Sequence, residues 1–393
     1  MKVLTFNTPL NSNISYAHTM RQIITPLNGL KNEPIEWFYG QHGTVINTPI
    51  KGDICTFVPA DVSEPDFYPK NLDLLCQHIQ PDILFMHDDP QRCLWFDHCP
   101  VPVIYWIPWD NEDWSFQPPY HVLKTADDVV TVAKFPLPIL RDMGLEVEQI
   151  YNPINTTVFH PDKAAGLEFR KQMDIPEDEI VLTWVGRPGW RKRFSHIIEV
   201  ARRCMEKNKH ITLLLHTDMN DPGNGNNPLE LIYGAGIQAK TIFPRDLRFD
   251  VGYPEETMNA LYNATDIYFA PHGGEGHSLP ISEAQACCKP FIATDITTTQ
   301  EFADYTDRGG EMCGKRGMGA KVGKIFEDRG IKRPYVDIQD MTNKILWLAE
   351  NEDVRIKMGK EGRKFVTQEV DWMVVAEKWR NVFERYSING VQL

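Results

Sequence analysis

Residues 270–293 read APHGGEGHSLPISEAQACCKPFIA, a pattern that predicts a strand, a glycine-rich loop, a helix and a second strand. Gly273, Gly274 and Gly276 allow the backbone to turn tightly and to approach a ligand closely. The amides that follow them precede a helix entered through Pro280, where unsatisfied N–H groups and the helix dipole favour an anion. The segment therefore predicts an anion-binding site at the end of a strand.

Two carboxylates flank this predicted anion site. Glu275 lies in the loop, and Glu283 lies eight residues later, in the first turn of the predicted helix. Both side chains can accept hydrogen bonds from hydroxyl groups. Carboxylates beside an anion site indicate a ligand that carries sugar hydroxyls as well as phosphate.

A second segment is strongly cationic although the whole chain is acidic. Residues 183–194 read TWVGRPGWRKRF, in which a strand ends in a turn with four cations within seven residues: Arg187, Arg191, Lys192 and Arg193. Such a cluster at the carboxyl end of a strand would clamp a diphosphate, Arg through a bidentate fork and Lys as a point charge. The alternative is an exposed helix start whose charges are solvated.

Short apolar runs alternate with longer stretches at helical spacing, which is typical of βαβ units that build a parallel sheet. The predicted strands fall into two sets: 2–7, 82–87, 101–107, 128–133 and 148–152, then 180–186, 211–216, 240–244, 266–270 and 290–294. Residues 152–163 between the sets have a composition that breaks both helix and strand. We therefore expect two doubly wound domains, 1–160 and 161–370, and a further helix within 371–393.

The two segments resemble motifs of retaining glycosyltransferases of the GT-B fold, in the family-4 group (glycosyl transferases group 1). That family has a G-R-x-x-x-x-K segment and an E-G-F-G-L-P-x-x-E-A segment in its second domain. Here Gly186, Arg187 and Lys192 match the first segment, and residues 275–284 match the second. The resemblance implies an α/β chain with two Rossmann-like, doubly wound parallel-sheet domains that face each other across a cleft. It also implies that the last helix returns toward the first domain.

Site residues follow from the resemblance. It implies a catalytic set made up of His87, Arg187, Lys192 and Glu275. It implies that the nucleotide sugar is bound by Gly186, Arg187, Lys192, Gly276, His277, Ser278, Leu279 and Glu283. In this assignment the two cations hold the diphosphate, Glu275 meets the transferred sugar, and Glu283 binds the ribose hydroxyls.

The chain departs from the family pattern at three places. His277 and Ser278 replace the usual Phe-Gly pair, which makes the loop bulkier and more polar. The loop after the first strand, residues 7–16, contains no glycine where the family has a Gly-Gly pair. Pro108 stands about where the family has a second histidine of the first domain.

The resemblance further implies retaining transfer of a sugar from a UDP- or GDP-sugar to a hydroxyl of a carbohydrate or other acceptor. Without an obvious nucleophile, the protein would stabilise the departing diphosphate while the acceptor approaches from the same face. No D-x-D motif lies between apolar runs, so we expect neither a metal ion nor another cofactor. Because Arg187 and Lys192 are assigned to ligand phosphate, replacing either with Ala is expected to leave the melting temperature nearly unchanged.

Residues 105–120, YWIPWDNEDWSFQPPY, combine aromatic rings with Asp110, Glu112 and Asp113. Aromatic faces and carboxylates are what a sugar acceptor needs, and we expect this loop on the first domain. Core packing beneath a long loop is the alternative explanation for the aromatic residues.

Charge and cysteine content limit the partners and the compartment. The formal net charge is −13, and residues 1–160 carry 9 Lys and Arg against 19 Asp and Glu, hence −10. This acidity disfavours nucleic-acid binding and does not support contact with a membrane surface. Eight cysteines, including the adjacent Cys287 and Cys288, do not form a disulfide pattern, and no transmembrane segment is evident, so we expect a cytoplasmic protein.

Two other functions stay open from the sequence. One is a nucleotide-sugar or glycan-binding protein without turnover, and the other is a sugar-nucleotide epimerase of the same fold. An epimerase would release free nucleotide without any acceptor. A phosphorylase would need a lysine-anchored pyridoxal phosphate site, which nothing in the sequence indicates.

Overall fold

The computed structural model describes residues 1–12, 14–29, 34–42, 46, 48–62, 68–112, 119–221, 227–244, 247, 252–304, 314–328 and 331–386. Contacts within the chain divide it into two compact units. One unit comprises Met1–Trp109, Phe116–Pro153 and Val370–Leu393, and the other comprises Asp110–Ser115 and Ile154–Glu369. The division at 153/154 lies inside the segment 152–163, in which the sequence analysis put the domain junction.

The first unit is built on an α/β sheet. Its elements before residue 153 are β1 (Lys2–Asn7), α1 (Ser15–Gly29), β2 (Glu36–Gln41), β3 (Ile50–Lys51), β4 (Thr56–Val58), α2 (Leu72–Ile79), β5 (Ile83–Met86), β6 (Val103–Ile107), α3 (Pro119–Thr125), β7 (Asp128–Thr131), α4 (Leu137–Asp142) and β8 (Glu148–Gln149). The strand order is β3-β4-β2-β1-β5-β6-β7-β8, and only the β3–β4 neighbours among these strands are antiparallel. The apolar strands β5 and β6 are buried along their whole length, as central strands of a parallel sheet are.

The chain order of the strands reverses between β1 and β5. In open α/β sheets, ligands bind beyond the carboxyl ends of the strands at such a reversal. Here β1 ends at Asn7 and β5 is followed by His87, and Asn7 Nδ2 donates to the His87 carbonyl (2.6 Å). The residue that the sequence singled out in the first domain therefore lies at the switch point of its sheet.

The second unit has a parallel sheet of its own. Its elements are α5 (Lys163–Gln172), β9 (Ile180–Val185), α6 (Phe194–Lys207), β10 (Ile211–His216), α7 (Pro228–Gly234), β11 (Thr241–Ile242), α8 (Glu255–Ala264), β12 (Ile267–Ala270), α9 (Leu279–Ala286), β13 (Phe291–Thr294), α10 (Thr299–Ala303), β14 (Gly317–Ala320), β15 (Val322–Asp328), β16 (Ile331–Val336), α11 (Ile338–Glu350) and α12 (Glu352–Phe365). The strand order is β11-β10-β9-β12-β13-β14, with all neighbours parallel. The order reverses between β9 and β12. The predicted α/β class with two doubly wound parallel sheets is confirmed.

Helix α6 buries the apolar face that the sequence pattern predicts. Its predicted apolar face, Ile197, Ile198, Ala201 and Cys204, is buried in one hydrophobic cluster together with side chains of β9 and β10. Spacings of three and four residues put these side chains on one side of a helix, so the helix covers the sheet through them.

Strands β15 and β16 form an antiparallel pair that the sequence analysis did not predict. The segment carries lysines among its apolar residues and leaves Ile325 64% and Phe326 49% exposed. It therefore lacks the buried apolar run by which the parallel strands were recognised.

The last described helix, α13 (Trp372–Glu384), belongs to the first unit. Its Trp379 ring packs edge-on against Phe85 of β5 (4.8 Å between centroids) and Trp106 of β6 (5.0 Å). Aromatic pairs in this geometry contribute beyond the apolar area that they bury. The helix thus completes the hydrophobic core of the first unit.

We predict that Gly359→Ala on α12 lowers the melting temperature. An added methyl group would collide with the Cys288 carbonyl, and such overpacking costs about 1–3 kcal/mol. The control is Gly234→Ala on α7, where nothing lies within 4 Å of the added atom. Equal melting temperatures for Gly359→Ala and the unmodified protein in a thermal unfolding experiment would contradict this packing.

Candidate functional site

The candidate site lies where the strand order of the second sheet reverses, at the carboxyl ends of the neighbouring strands β9 and β12. The turn after β9 begins at Gly186, whose N–H donates to the carbonyl of His216, the last residue of β10 (3.1 Å). In the loop after β12, the Gly273 N–H donates to the Arg191 carbonyl of that turn (2.8 Å). The two segments identified in the sequence are therefore hydrogen-bonded to each other at a switch point.

A buried carboxylate paired with two cations joins the same segments. Glu275 is 6% exposed, its Oε1 accepts from Lys192 Nζ (2.5 Å), and its Oε2 lies 3.0 Å from Arg191 Nη1. Burial by itself raises the pKa of Glu275, but the charges of Arg191 and Lys192 outweigh it and hold the pKa well below its ordinary value. Burial lowers the pKa of Lys192, and Glu275 opposes that shift. Glu275 is therefore ionised at neutral pH.

Asp110, which belongs to neither of the two sequence segments, helps to hold the glycine-rich loop in place. Its carboxylate lies 3.2 Å from Arg191 Nε and accepts from Arg333 Nη2 (2.9 Å). Arg333 Nη1 donates to the Asp110 carbonyl (2.8 Å), and Arg191 Nη1 donates to the Gly274 carbonyl (2.5 Å). Two arginines thus fix one carboxylate and the loop backbone together.

Gly274 is required by this arrangement. Its φ of +139° is a conformation that residues with side chains rarely adopt. A Cβ atom there would collide with the Asp110 carbonyl and lie 2.5 Å from Arg333 Nη1. The glycine therefore allows the backbone to pass directly beneath the Asp110–Arg333 pair.

Arg187 makes a different ion pair in the same turn. Its Nε and Nη2 donate to the two carboxylate oxygens of Asp221 (2.6 and 2.9 Å), a bidentate fork. The Asp221 side chain is 1% exposed, whereas the Arg187 side chain is 53% exposed. The hydrogen bonds to Asp221 raise the pKa of Arg187 above its ordinary value. Arg187 therefore presents a fixed, charged group toward solvent.

Helix α9 begins at Leu279, close to the predicted start at Pro280. Ser278, just before it, has φ of +66°, and its carbonyl accepts from the N–H groups of Ile281 (3.0 Å) and Ser282 (3.3 Å). The loop from Gly276 onward thus runs directly into the helix N-terminus, where the backbone dipole favours negative charge.

The predicted position of Glu283 in the first turn of that helix is wrong. Because the helix begins at Leu279, Glu283 is its fifth residue and lies in the second turn. Its Oε2 accepts from the Tyr262 hydroxyl (2.6 Å), and the residue is 8% exposed. Burial, and next the charge of Glu283, raise the pKa of Tyr262 well above its ordinary value. The hydroxyl therefore stays protonated and donates to Glu283.

His277 is buried within the second unit. The residue is 3% exposed, its Nε2 lies 3.0 Å from Ser282 Oγ, and its ring meets Phe302 edge-on (5.0 Å between centroids). The polar ring at the position of the usual Phe is therefore accommodated by a hydroxyl partner and an aromatic neighbour.

Residues 167–309, which contain all of these segments except Asp110 and Arg333, match the family model described as Glycosyl transferases group 1. The match covers 143 of the 393 residues of the chain. The curated relatives include an uncharacterized glycosyltransferase of Methanocaldococcus jannaschii, 23% identical over 209 residues (51% of this chain, 51% of the relative). They also include a D-inositol 3-phosphate glycosyltransferase of Corynebacterium jeikeium, 24% identical over 216 residues (55% and 46%). The chain thus spans about half the length of these relatives.

Solved structures extend the likeness to nearly the whole chain. Sucrose-phosphate synthase from Thermosynechococcus elongatus has a TM-score of 0.74 at 16% identity, covering 98% of this chain and 99% of that one. Anabaena HepE in complex with UDP-glucose has a TM-score of 0.70 at 14% identity, covering 98% and 99%. At such identities the likeness shows the fold alone, and it confirms the predicted GT-B fold.

The remaining predicted residue, His87, belongs to the first unit. It is 1% exposed, its Nδ1 lies 2.8 Å from the Trp106 carbonyl, and its ring packs on Trp106 (4.3 Å between centroids). Because a carbonyl oxygen can only accept, Nδ1 carries the proton and Nε2 is an acceptor. Burial lowers the pKa of His87 to about 4, so the ring is neutral at pH 7.

The predicted acceptor segment is divided in the structure. Residues 113–118 lie outside the described residues. Asp110 and Glu112 group with the second unit, not with the first domain as expected. Asp110 is paired with arginines, and Glu112 Oε1 accepts from the Thr297 N–H (2.7 Å). Both carboxylates therefore hold loops of the second unit in place.

The expectation that Arg187 and Lys192 act on ligand alone needs correction. Each is paired with a carboxylate that is more than nine-tenths buried, Asp221 and Glu275. Removing the cation leaves a buried carboxylate with fewer partners, which destabilises a folded protein. Their loss thus affects stability as well as any ligand.

Sequence reasoning missed the partners of the predicted cations. Arg191 was counted in the cationic cluster without a role of its own, and Asp221, Asp110 and Arg333 were not assigned to this site. Asp221 follows the end of β10, which neighbours β9, so strand adjacency would have indicated it. Arg333 comes from the unpredicted β15–β16 pair, and no motif marks it.

The described parts of the chain contain neither a metal-binding cluster nor a membrane-spanning helix. There, no group of three or more His, Cys, Asp and Glu side chains is arranged to hold a metal ion. Among the helices of the described residues, none has the length and apolar character needed to cross a membrane.

We predict that Gly274→Ala weakens nucleotide binding and lowers the melting temperature, because the new methyl group forces Asp110 and Arg333 away from the loop. Gly236→Ala is the matched control, since its φ is +70° but nothing lies within 4 Å of the added atom. It shares a positive φ with Gly274 but lacks the collision. Calorimetry in which both variants bind nucleotide equally well would show that the Asp110–Arg333 brace is unimportant to the site.

Proposed function

We propose that this chain is a retaining, metal-independent glycosyltransferase of the family-4 type. It transfers a sugar from a nucleotide-diphosphate sugar to a hydroxyl of a carbohydrate or other acceptor. The proposal rests above all on one observation: cationic side chains and a helix N-terminus lie together at the switch point of the second sheet. The match of residues 167–309 to the glycosyl transferases group 1 model and the relatives named as glycosyltransferases support the same reaction class.

The donor diphosphate is assigned to the cations of the turn after β9. Arg187 is held with its guanidinium partly exposed, and Lys192 projects from the same turn onto Glu275. Arg suits bidentate phosphate recognition, and Lys supplies a point charge. Anabaena HepE has been solved with UDP and with UDP-glucose, so a UDP-sugar is the first donor to test, followed by a GDP-sugar.

The chemistry proposed for the site is stabilisation of a leaving group. As the bond from sugar to diphosphate breaks, negative charge grows on the phosphate beside Lys192, Arg187 and the amides before α9. Fixed donors at developing charge are a large source of rate enhancement. These cations take the part that a metal ion plays elsewhere, which supports metal independence. With no nucleophile assigned, the acceptor hydroxyl attacks from the side that the leaving group vacates. Its proton passes to the departing phosphate oxygen as the bond from sugar to diphosphate breaks, and the configuration is retained.

Roles for sugar and acceptor complete the proposal. Glu275, ionised and buried, is assigned to hydroxyls of the transferred sugar, and Glu283 to the ribose. His87 is neutral at pH 7, so its Nε2 can accept a hydrogen bond from a sugar or acceptor hydroxyl. The seven described cysteines are free thiols, which supports a reducing, cytoplasmic setting.

The first experiment is a calorimetric screen of UDP, GDP, ADP and their sugars, each with and without EDTA. We expect one nucleoside diphosphate to bind, unaffected by EDTA, and its sugar to be consumed only when a hydroxyl acceptor is supplied. NMR of the product reports the anomeric configuration. Binding without consumption for any acceptor would favour a binding protein, release of nucleotide without acceptor would favour an epimerase, and an inverted product would overturn retention.

We further predict that Lys192→Ala lowers kcat/KM by about 100-fold, the scale of losing one donor to developing charge. Lys240→Ala is the matched control, because Lys240 pairs with the buried Glu179. Lys240 directly precedes β11 and Glu179 directly precedes β9, so this pair lies at the amino ends of the strands. Both variants break a Lys–Glu pair and destabilise the same unit. Equal loss of activity in the two variants would mean that Lys192 acts through stability alone.

A further inference from the structure

Asp221 is the carboxylate that holds Arg187. Its two oxygens accept from Arg187 Nε and Nη2 at 2.6 and 2.9 Å. We propose that Asp221 is a positioning residue that fixes the Arg187 guanidinium for the donor diphosphate. This inference rests on the proposed function, because it assigns a purpose to the pair only if Arg187 meets a phosphate.

Local backbone structure fixes the Asp221 carboxylate before any ligand binds. The residue follows β10, the direct neighbour of β9, so the two loops start at adjacent strand ends. Its N–H donates to the Asp218 carbonyl (3.4 Å), and the Asn220 N–H donates to Asp218 Oδ1 (2.8 Å). A side chain that is 1% exposed and set on a hydrogen-bonded turn has little freedom to follow Arg187.

Arg187 is held by the fork and is still accessible to a ligand. A guanidinium has five N–H donors, and Asp221 engages one on Nε and one on Nη2. The Arg187 side chain is 53% exposed, whereas its partner is buried. The carboxylate thus holds the guanidinium from the protein side, and the solvent side is the one that a phosphate can approach.

Asp221 has two opposite effects on an anionic ligand. Asp221 orders the long Arg187 side chain when the protein folds, so the entropy cost of ordering that side chain does not reduce the affinity for the ligand. It also places a negative charge near the diphosphate, which repels it. Salt separates the two effects, because the screening length falls from about 8 Å at 0.15 M to about 3 Å at 1 M ionic strength. Positioning persists at high salt, whereas the repulsion between the buried Asp221 and a diphosphate that approaches from solvent is reduced.

The test measures the affinity for UDP, or for GDP or ADP if that is the nucleotide that the unmodified protein binds, by calorimetry at both salt concentrations. The variants are Asp221→Asn, Arg187→Ala and the double variant Arg187→Ala/Asp221→Asn. We expect Asp221→Asn to weaken binding by about tenfold at 1 M salt, and to change it less than about twofold when Arg187 is already Ala. That pattern is specific to a residue that acts through Arg187.

Asp218→Asn is the charge-matched control. Asp218 also raises the pKa of Arg187 by its charge, but its effect is smaller than that of the hydrogen bonds to Asp221. We expect this variant to bind nucleotide as the unmodified protein does at 1 M salt. If Asp221→Asn fails to fold, Arg187→Lys replaces it, since lysine keeps the charge and cannot form the fork. We expect Arg187→Lys to bind about tenfold more weakly.

Three results would overturn the inference alone. These are unchanged or tighter binding by Asp221→Asn at 1 M salt, equal weakening by that substitution with and without Arg187, and unmodified affinity in Arg187→Lys. Failure of the unmodified protein to bind UDP, GDP and ADP would instead overturn the proposed function, and the inference with it. Nucleotide binding by the unmodified protein therefore distinguishes failure of the inference from failure of the proposed function.

Discussion

The pairing of Glu275 with Lys192 and Arg191 is the interaction on which the site depends. It joins the turn after β9 to the loop after β12, across the reversal of strand order in the second sheet. A buried carboxylate needs such partners, because an unpaired charge away from water is strongly destabilising. The cations therefore hold the loop in place while no ligand is bound, and their excess positive charge suits an anion.

Carboxylates accompany each cation that we assign to phosphate. Lys192 is paired with Glu275, Arg187 with Asp221, and Arg191 with both Glu275 and Asp110. A bound diphosphate would therefore contact cations that are already paired with carboxylates, instead of cations that are surrounded by water. Pre-ordered donors avoid a reorganisation at the moment of reaction, which is how electrostatic catalysis gains its effect. The acidic composition of the chain thus coexists with a local anion site.

The sequence predicted those features that are local or periodic. Strands β1 and β10 were predicted at their observed bounds, and the apolar face of α6 follows from its spacing. Lys192 and Glu275 were assigned to one site by the resemblance of their segments to the glycosyltransferase motifs. The partners Asp221, Asp110 and Arg333 were missed, because pairing across loops depends on three-dimensional placement that no spacing encodes. Helix α9 begins one residue earlier than predicted, which puts Glu283 at the fifth helical position instead of the fourth, since backbone conformation at Ser278 sets the helix start.

The most direct test of this account is a crystal structure of the protein with its nucleoside diphosphate bound. We predict diphosphate oxygens within hydrogen-bond distance of Lys192 Nζ and of the Arg187 guanidinium, with the phosphate facing the N-terminus of α9 and the Asp221 fork intact. A nucleotide bound elsewhere, with Lys192 and Arg187 contacting only their carboxylates, would contradict the central claim.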